Sequence, residues 1–162
     1  QKTAYEIMPS LVGSEMCIRD SATLFAVAFI TRILREAQFP RCGFSGLLLP
    51  VLEDRTIAQR STEDLLTLDG LLLYSTVCGT GLDTIPLPGE VSVEELAAIL
   101  LDVATLAQIA DKPLTARLMP IPGKEAGDVT TFDFTYFANA RLLKTRGYGA
   151  SKIFEHNPFV NL

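Results

Sequence analysis

The sequence is poor in the residues that build most hydrolytic and metal centres. It contains no tryptophan and a single histidine, His156, in an apolar C-terminal stretch. One histidine argues against a histidine-based catalytic triad and against a multi-histidine metal site. We therefore expect no metal centre, and the sequence indicates no particular cofactor.

Long hydrophobic runs and basic patches are also missing. Hydrophobic residues make up 48% of the chain, which favours a packed core over disorder. The longest apolar stretches are interrupted by Arg32, Asp69 and Asp102, so none reaches the roughly 20 residues of a membrane-spanning helix. The formal net charge is −5, and an acidic chain without a basic patch argues against nucleic acid as the main partner.

Cysteine is scarce, with three residues in the chain. One of them, Cys17, lies in residues 1–21, which resemble the translation of a sequencing-library adapter. Charged side chains in this segment leave no apolar core for a signal peptide. We set residues 1–21 aside as non-native and expect them to be disordered. The other two cysteines, Cys42 and Cys78, are typical of free thiols in a reducing compartment, which indicates the cytoplasm.

Helical and strand-like patterns alternate over residues 22–144, which we interpret as one α/β domain. Helices are expected at residues 22–38, at 53–60 and from Ser92 to Lys112, where Ser92 and Glu95 form a capping box. The apolar stripe expected on this last helix comprises Leu96, Ala97, Leu100, Leu101, Ala104 and Ala107.

Short apolar runs between these helices predict strands. Residues 47–51 have the composition of a strand buried on both faces. Residues 84–87 are expected to form a second strand, which Pro86 and Pro88 place at an edge or a strand end. Residues 114–121 are expected to form a hairpin with 129–134. Residues 139–162 carry mixed signals, and 145–162 are interpreted as a tail.

The chain is organised around a leucine-rich stretch that begins at Asp64. Residues 61–64 have the composition of a helix N-cap followed by acids, and Gly79 is expected to end the helix as the residue after its last turn. The pattern therefore places a thiol, Cys78, and a carboxylate, Asp83, on the turn that follows a buried helix.

Several motifs in fixed order resemble a known family. They are Gly43-Phe44-Ser45-Gly46, Leu49-Pro50-Val51-Leu52-Glu53-Asp54, Cys78-Gly79-Thr80-Gly81-Leu82-Asp83-Thr84-Ile85-Pro86, Thr115-Ala116-Arg117-Leu118-Met119-Pro120 and Pro122-Gly123-Lys124-Glu125-Ala126-Gly127-Asp128. In this order they resemble the C-terminal part of the domain-of-unknown-function 711 family, also called uncharacterised protein family 0210.

The resemblance implies a fold similar to the α/β barrel of pyruvate formate-lyase-like glycyl radical enzymes. In those enzymes an active cysteine lies on a loop inside the barrel and a radical glycine lies near the chain end. This chain departs from the radical motif, because Arg146 directly precedes Gly147 and Tyr148. The resemblance therefore implies a fold and no activity.

Cys78 and Asp83 are the candidate catalytic residues. Cys78 is either a reactive thiol facing a cleft or a buried structural cysteine, since free cysteine is among the most buried residue types. Its place after a helix disfavours a thiolate, so a cation such as Arg117 or Lys124 would have to compensate. Asp83 either binds a ligand or stabilises the turn through backbone N–H groups.

Five further residues are candidate ligand contacts: Ser45, Gly79, Gly81, Arg117 and Lys124. Gly79 and Gly81 resemble a phosphate-binding loop, but such loops precede a helix, and this one follows. Arg117 either lies on an exposed strand face or binds a carboxylate.

The function predicted from these features is binding of, or catalysis on, a small anionic metabolite by one part of an enzyme-like α/β barrel. Two alternatives stay open: a non-catalytic ligand-binding or regulatory protein, and a structural or interaction protein. A homo-oligomer is compatible with all three.

Overall fold

The computed structural model describes residues 23–40 and 42–146. Within them the elements follow in the order α1 (Thr23–Glu36), α2 (Arg55–Thr62), α3 (Leu68–Ser75), β1 (Gly81–Pro88), α4 (Val93–Ile109) and β2 (Thr115–Ile121). This mixture of helix and strand supports the α/β class, and the barrel stays a prediction. The expectations for residues 1–21, for the motif after Arg146 and for the tail with His156 concern residues outside the described part.

The sheet is parallel, and the predicted hairpin is wrong. β2 pairs in parallel with β1, and α4 forms the connection between them. A crossover of this kind joins parallel strands, whereas a short turn joins antiparallel ones. Within the described residues, the segment 129–134 forms a single antiparallel bridge, from Val129 to Arg141.

The predicted strand at 47–51 is an extended segment with a single bridge, between Pro50 and Asp83. Proline has no N–H to donate to a ladder, and the bond at this point runs from the Val51 N–H to the Asp83 carbonyl oxygen at 3.0 Å. Leu47, Leu49 and Val51 are buried. The segment therefore covers the open side of β1 without forming a regular strand.

A C-terminal segment completes this small core. The Ala138 N–H donates to the Leu52 carbonyl oxygen at 2.7 Å, and the Leu143 N–H donates to the Pro86 carbonyl oxygen at 2.9 Å. Both strands of a two-stranded sheet are edge strands, which is where a proline without an N–H group is tolerated. The carbonyl oxygen of Pro86 is nevertheless bonded, to this C-terminal segment. β1 is buried along seven of its eight residues.

The central helix is shorter than predicted. Asp64 has φ of 60°, a left-handed conformation that is incompatible with an α-helix starting at this residue. α3 begins at Leu68 instead, and Thr67 is its N-cap, with its side-chain oxygen accepting the Gly70 N–H. Ser61, expected to cap this helix, belongs to α2.

The capping box of α4 is confirmed, since the Ser92 side chain accepts the Glu95 N–H and the Glu95 carboxylate accepts the Ser92 N–H. The predicted stripe is wrong in its centre. Ile99 and Val103 are the buried residues of α4, while Leu100 is 49% exposed. The helix is apolar on several sides, so sequence spacing alone did not identify the buried one.

Over the described ranges, none of the helices has the length and apolar content needed to cross a bilayer.

Candidate functional site

The loop after α3 and the loop after α1 meet at two glycines. A Cβ atom on Gly46 would lie 2.6 Å from the Gly79 Cα, and one on Gly79 would lie 2.5 Å from the Gly46 Cα. Neither distance is compatible with a side chain. Gly79 also donates its N–H to the Leu47 carbonyl oxygen at 2.8 Å. The predicted role of Gly79 as a helix-ending residue is wrong, because its backbone is not left-handed and its glycine is required for this close approach.

Cys78 lies beneath this junction and is fully buried. Its sulfur accepts the Gly81 N–H at 3.2 Å and the Thr80 N–H at 3.5 Å. Gly81 has φ of 112°, and a Cβ there would collide with the Thr115 carbonyl oxygen. Two backbone donors therefore converge on one sulfur atom.

The cation beside Cys78 is Lys112, which sequence reasoning did not single out. The Lys112 ammonium donates to the Thr76 and Cys78 carbonyl oxygens, both at 2.9 Å. It therefore binds the free carbonyl groups at the end of α3, where a positive charge is favoured. Burial lowers the pKa of Lys112, the nearby Cys78 acts to raise that pKa, and the nearby Arg35 acts to lower it.

A cleft of about 390 Å³ opens above the glycine junction. It is lined by Arg35, Gly43, Phe44, Ser45, Gly79 and Pro113. The structure thus brings together two of the predicted contacts, Ser45 and Gly79, which are separated by more than thirty positions in the sequence. The volume lies in the range of small-molecule sites, about 300–1,000 Å³.

The cleft lining contains a cation and no carboxylate. Among the described residues Arg35 has no ion-pair partner, and the N–H groups of Gly43, Phe44 and Ser45 donate to no described carbonyl oxygen. Gly43 is left-handed, with φ of 64°. Successive N–H groups in a turn with one left-handed residue form concavities that bind anions. The hydroxyl of Thr80, which follows Gly79, is buried without a hydrogen-bond partner in the described part of the chain.

Asp83 and Arg117 form a second cluster, in which the charges are paired. Asp83 is 3% exposed and accepts a hydrogen bond from Nε of Arg117. Nη1 of Arg117 lies 3.0 Å from Oε1 of Glu53. The pKa of Arg117 is raised, mainly by the hydrogen bond to Asp83, against the opposing effect of burial. The Arg117 side chain is half exposed, and both carboxylates that it contacts belong to this chain.

A bulge in β1 positions Asp83 for this contact. Leu82 pairs with Ala116 and Ile85 with Leu118, so Asp83 and Thr84 together oppose Arg117. Thr84 has φ of 47°, which is rare for a β-branched residue. Its hydroxyl accepts the Leu52 N–H at 3.1 Å, which stabilises the irregular backbone. Bulges of this kind re-aim side chains and are frequent beside active sites.

Lys124 is not brought to either cluster. It lies in the turn after β2, where its N–H donates to the Ile121 carbonyl oxygen. The cleft lies by the start of β2, next to Pro113. At 3.3 Å per residue the two ends of this strand are about 20 Å apart. A larger groove of about 740 Å³ between α3 and α4 contains none of the predicted site residues.

Sequence reasoning missed Arg35 and Lys112 for different reasons. Arg35 is one of several charges near the end of α1, and nothing in its spacing distinguishes it from Arg32. Lys112 precedes Pro113 and was interpreted only as a helix end. Its contact with α3 joins residues 36 and 34 positions apart. A lysine just before a proline that ends a helix is a weak signal, because only the fold shows which carbonyl groups it can reach.

The site is therefore a cation-lined cleft on an α/β scaffold, built from glycine-rich loops that precede the strands. A family model described as "Uncharacterised ACR (DUF711)" matches residues 8–139, and the chain belongs to this family. The match begins inside the segment 1–21 that we attribute to an adapter, and this attribution stays a prediction.

Curated relatives include several proteins named UPF0210 protein. One from Pyrobaculum arsenaticum is 42% identical over 110 residues, which is 65% of this chain and 25% of the relative. Another, from Pyrobaculum aerophilum, is 49% identical over 86 residues, or 53% of this chain and 19% of the relative. A third, from Oleidesulfovibrio alaskensis, is 35% identical over 112 residues, or 69% and 24%. The chain thus spans about a quarter of the length of these relatives. No solved structure matches.

Proposed function

We propose that this protein binds a small anionic metabolite in the cleft above Gly79. The observation that supports this proposal best is the composition of the cleft, whose lining contains Arg35 and no carboxylate, together with Gly43, Phe44 and Ser45, whose N–H groups donate to no carbonyl oxygen of the described residues. Lys112, whose pKa responds to Arg35, adds a second positive charge nearby. An anion in the cleft would interact favourably with both cations.

Ser45 and Gly79 are the predicted contacts that fit this proposal. Ser45 offers a hydroxyl, and Gly79 contributes backbone to the cleft lining while its missing side chain makes room for Gly46. Gly81 contributes indirectly, because its left-handed conformation directs its N–H to the Cys78 sulfur. Arg117 and Lys124 are left out of the proposed anion contacts, since Arg117 is paired with two carboxylates and Lys124 lies at the far end of β2.

Thermal unfolding tests the proposal directly. We would measure the Tm with phosphate, small dicarboxylates and chloride at equal ionic strength. A ligand at about ten times its Kd stabilises the folded state by about 1.4 kcal/mol, which raises the Tm of a domain of this size by several degrees. Phosphate or a dicarboxylate should raise the Tm above its value in chloride.

The matched variants are Arg35→Gln and Arg32→Gln, both on α1. Arg32 is exposed and paired with Glu36 at 2.7 Å, so its loss should leave the anion effect intact. Arg35→Gln should abolish the effect. Equal shifts in the two variants would show that any stabilisation arises elsewhere on the surface, and the proposal would then be wrong.

Catalysis through Cys78 and Asp83 is the second candidate function. It is favoured by the two N–H groups that converge on the Cys78 sulfur and by the adjacent Lys112. Cys78 is fully buried and Cys42 is exposed, so a catalytic role requires that the junction of Gly46 and Gly79 opens. In a Cys17→Ser/Cys42→Ser variant, whose one remaining thiol is Cys78, rapid alkylation under native conditions would support catalysis. Alkylation only on unfolding would exclude it.

The fold that we propose for the complete protein is the α/β barrel implied by the family resemblance. The parallel pair of β1 and β2, with α4 as its crossover, is the repeating unit from which such barrels are built. We also propose a cytoplasmic location. A structure of a full-length UPF0210 relative tests the barrel, since an open sheet in that structure would contradict it.

A further inference from the structure

The outer face of α1 carries large exposed apolar side chains, whereas two of the three buried residues of the helix are threonines. Its buried residues are Thr23, Val27 and Thr31. Phe25 is 69% exposed, Phe29 is 53% exposed and Ile33 is 49% exposed. These three residues are spaced by four positions, which places them along one side of the helix. We call Phe25, Phe29 and Ile33 the outer stripe.

The inner face of α1 already packs against the described core and forms a hydrogen bond with it. The Thr31 hydroxyl accepts the Leu47 N–H at 3.1 Å, and the Thr31 methyl group lies against Gly46. A helix with apolar side chains on both its inner and its outer side is typical of a position between two layers. The described residues supply only one of these layers. The rings of Phe25 and Phe29 are stacked, with centroids 5.9 Å apart, and present an apolar surface on which a second layer can pack.

We propose that the outer stripe is covered by the part of a full-length family chain that lies outside the matched region. The relatives are about four times as long as the region they share with this chain. This additional polypeptide is a source of apolar surface large enough to form a second layer. α1 would then lie in the interior of the complete protein, between the core described above and that second layer.

The area of the stripe favours this occupant over a second copy of the chain. An aromatic side chain buries about 150–250 Å² when fully covered, so the exposed parts of these three side chains amount to roughly 300 Å². A stable dimer buries about 800 Å² on each partner, because association has to offset the loss of translational and rotational freedom. Packing within one chain carries no such cost. A stripe of this size is therefore too small to hold two copies of the chain together by itself, but it can form one part of the larger interface that a whole second layer makes with this chain.

The first test supplies the proposed layer as a separate polypeptide. We would co-express this chain with the portion of the Pyrobaculum arsenaticum UPF0210 protein outside its match to this chain, and measure association by sedimentation. The expected result is a one-to-one complex. The double variant Phe25→Ser/Phe29→Ser should weaken that complex by at least about tenfold, since two aromatic side chains lose their buried contacts.

Tyr136→Ser is the matched control, because Tyr136 is an equally exposed aromatic residue outside the stripe, at 71%. It should leave the affinity within about threefold of the unsubstituted value, as expected for a residue outside the contact. Absence of a complex, or an equal loss in the control and the double variant, would overturn the proposal. Self-association of the chain that disappears in the double variant would identify a second copy as the occupant and would also overturn it.

Cysteine labelling at the stripe gives an independent readout. In a Cys17→Ser/Cys42→Ser background, the Phe29→Cys variant places a thiol in the stripe, and the one native thiol left, Cys78, stays buried. The thiol at position 29 should react quickly in the isolated chain and slowly in the complex. Slow reaction in the isolated chain would show that the stripe is already covered, and equal rates with and without the second polypeptide would show that the contact lies elsewhere. Either result contradicts the proposal.

Discussion

The two polar clusters described above each contain an arginine, which is ion-paired in one cluster and has no ion-pair partner among the described residues in the other. In the cluster of Asp83, Arg117 and Glu53, one guanidinium contacts two carboxylates of the same chain. In the cleft, Arg35 has no ion-pair partner among the described residues, and the lining contains no carboxylate. The first cluster therefore stabilises the fold, whereas the second has charge available for a ligand.

This difference matters because the more conspicuous cluster is the less suitable anion site. Arg117 lies on a strand beside a buried acid, as expected of a ligand-binding arginine, yet its Nε and Nη1 atoms already contact carboxylates of this chain. An incoming anion would have to compete with Asp83 and would meet the remaining negative charge of the cluster. Loss of Arg117 should therefore reduce the free energy of unfolding, and loss of Arg35 should reduce the affinity for anions.

The largest expected effect is at the glycine junction that supports the cleft. Gly79→Ala should destabilise the protein by about 3 kcal/mol or more, because its Cβ meets the Gly46 backbone at 2.5 Å. Gly43→Ala is the control, since a Cβ there has open space and only its left-handed backbone is strained, at about 1–2 kcal/mol. Urea unfolding of both variants gives the comparison. Equal losses would show that the junction is not tightly packed.

The next effect isolates the paired cluster. Arg117→Met leaves the buried Asp83 carboxylate without its partner, and we expect a loss of about 2–3 kcal/mol in the free energy of unfolding. Adding Asp83→Asn to this variant should restore part of the loss, because the uncompensated charge is then removed. If Asp83→Asn destabilises the Arg117→Met variant as much as it destabilises the unsubstituted chain, the two side chains are not coupled.

Lys112→Met tests the cation that lies between the cleft and Cys78. Two charge-assisted hydrogen bonds to the end of α3 are lost, but the cost of burying the ammonium is also removed, so we expect a net loss of about 1 kcal/mol. Hydrogen exchange should show faster opening at residues 76–78 than in the wild-type chain. Uniformly faster exchange across the whole molecule would contradict a local role.

The smallest effect serves as a reference far from both clusters. Ser92→Ala removes the N-cap of α4 and should cost about 1 kcal/mol without any change in anion binding.

Glu95, the partner of Ser92, gives this cap a pH dependence. Its pKa is lowered, first by the hydrogen bond from Thr145 and then by the Ser92 N–H. Its contribution is therefore present above the unfolded-state pKa of 4.5 and is lost as the pH falls through the folded-state value. The stability advantage over Glu95→Gln should shrink from pH 7 to pH 3. A constant advantage would contradict this account.

Local signals in the sequence predicted the helices with distinct ends. α1 ends before Phe39 and Pro40, and α4 begins at the Ser92 cap, because caps and prolines act within a few residues. The prediction for α3 was wrong because its start depends on the left-handed Asp64 and the Thr67 cap. Leucine spacing does not encode either feature.

Long-range pairing was the larger error. The turn chemistry of 122–128 suggested a hairpin, while the actual partner of β2 is β1, more than thirty residues earlier. Of the site residues, Ser45 and Gly79 were predicted for their chemistry and meet in the cleft. Arg35 and Lys112 were missed because their roles come from tertiary contacts alone.

The most direct test of the central claim is calorimetric titration of phosphate into three proteins at equal ionic strength: the unsubstituted chain, Arg35→Gln and Arg117→Met. We predict that Arg117→Met binds phosphate as the unsubstituted chain does, at a temperature where it is folded, and that Arg35→Gln loses at least about tenfold in affinity. The opposite pattern, with binding lost in Arg117→Met and retained in Arg35→Gln, would contradict the assignment of the anion site to the cleft.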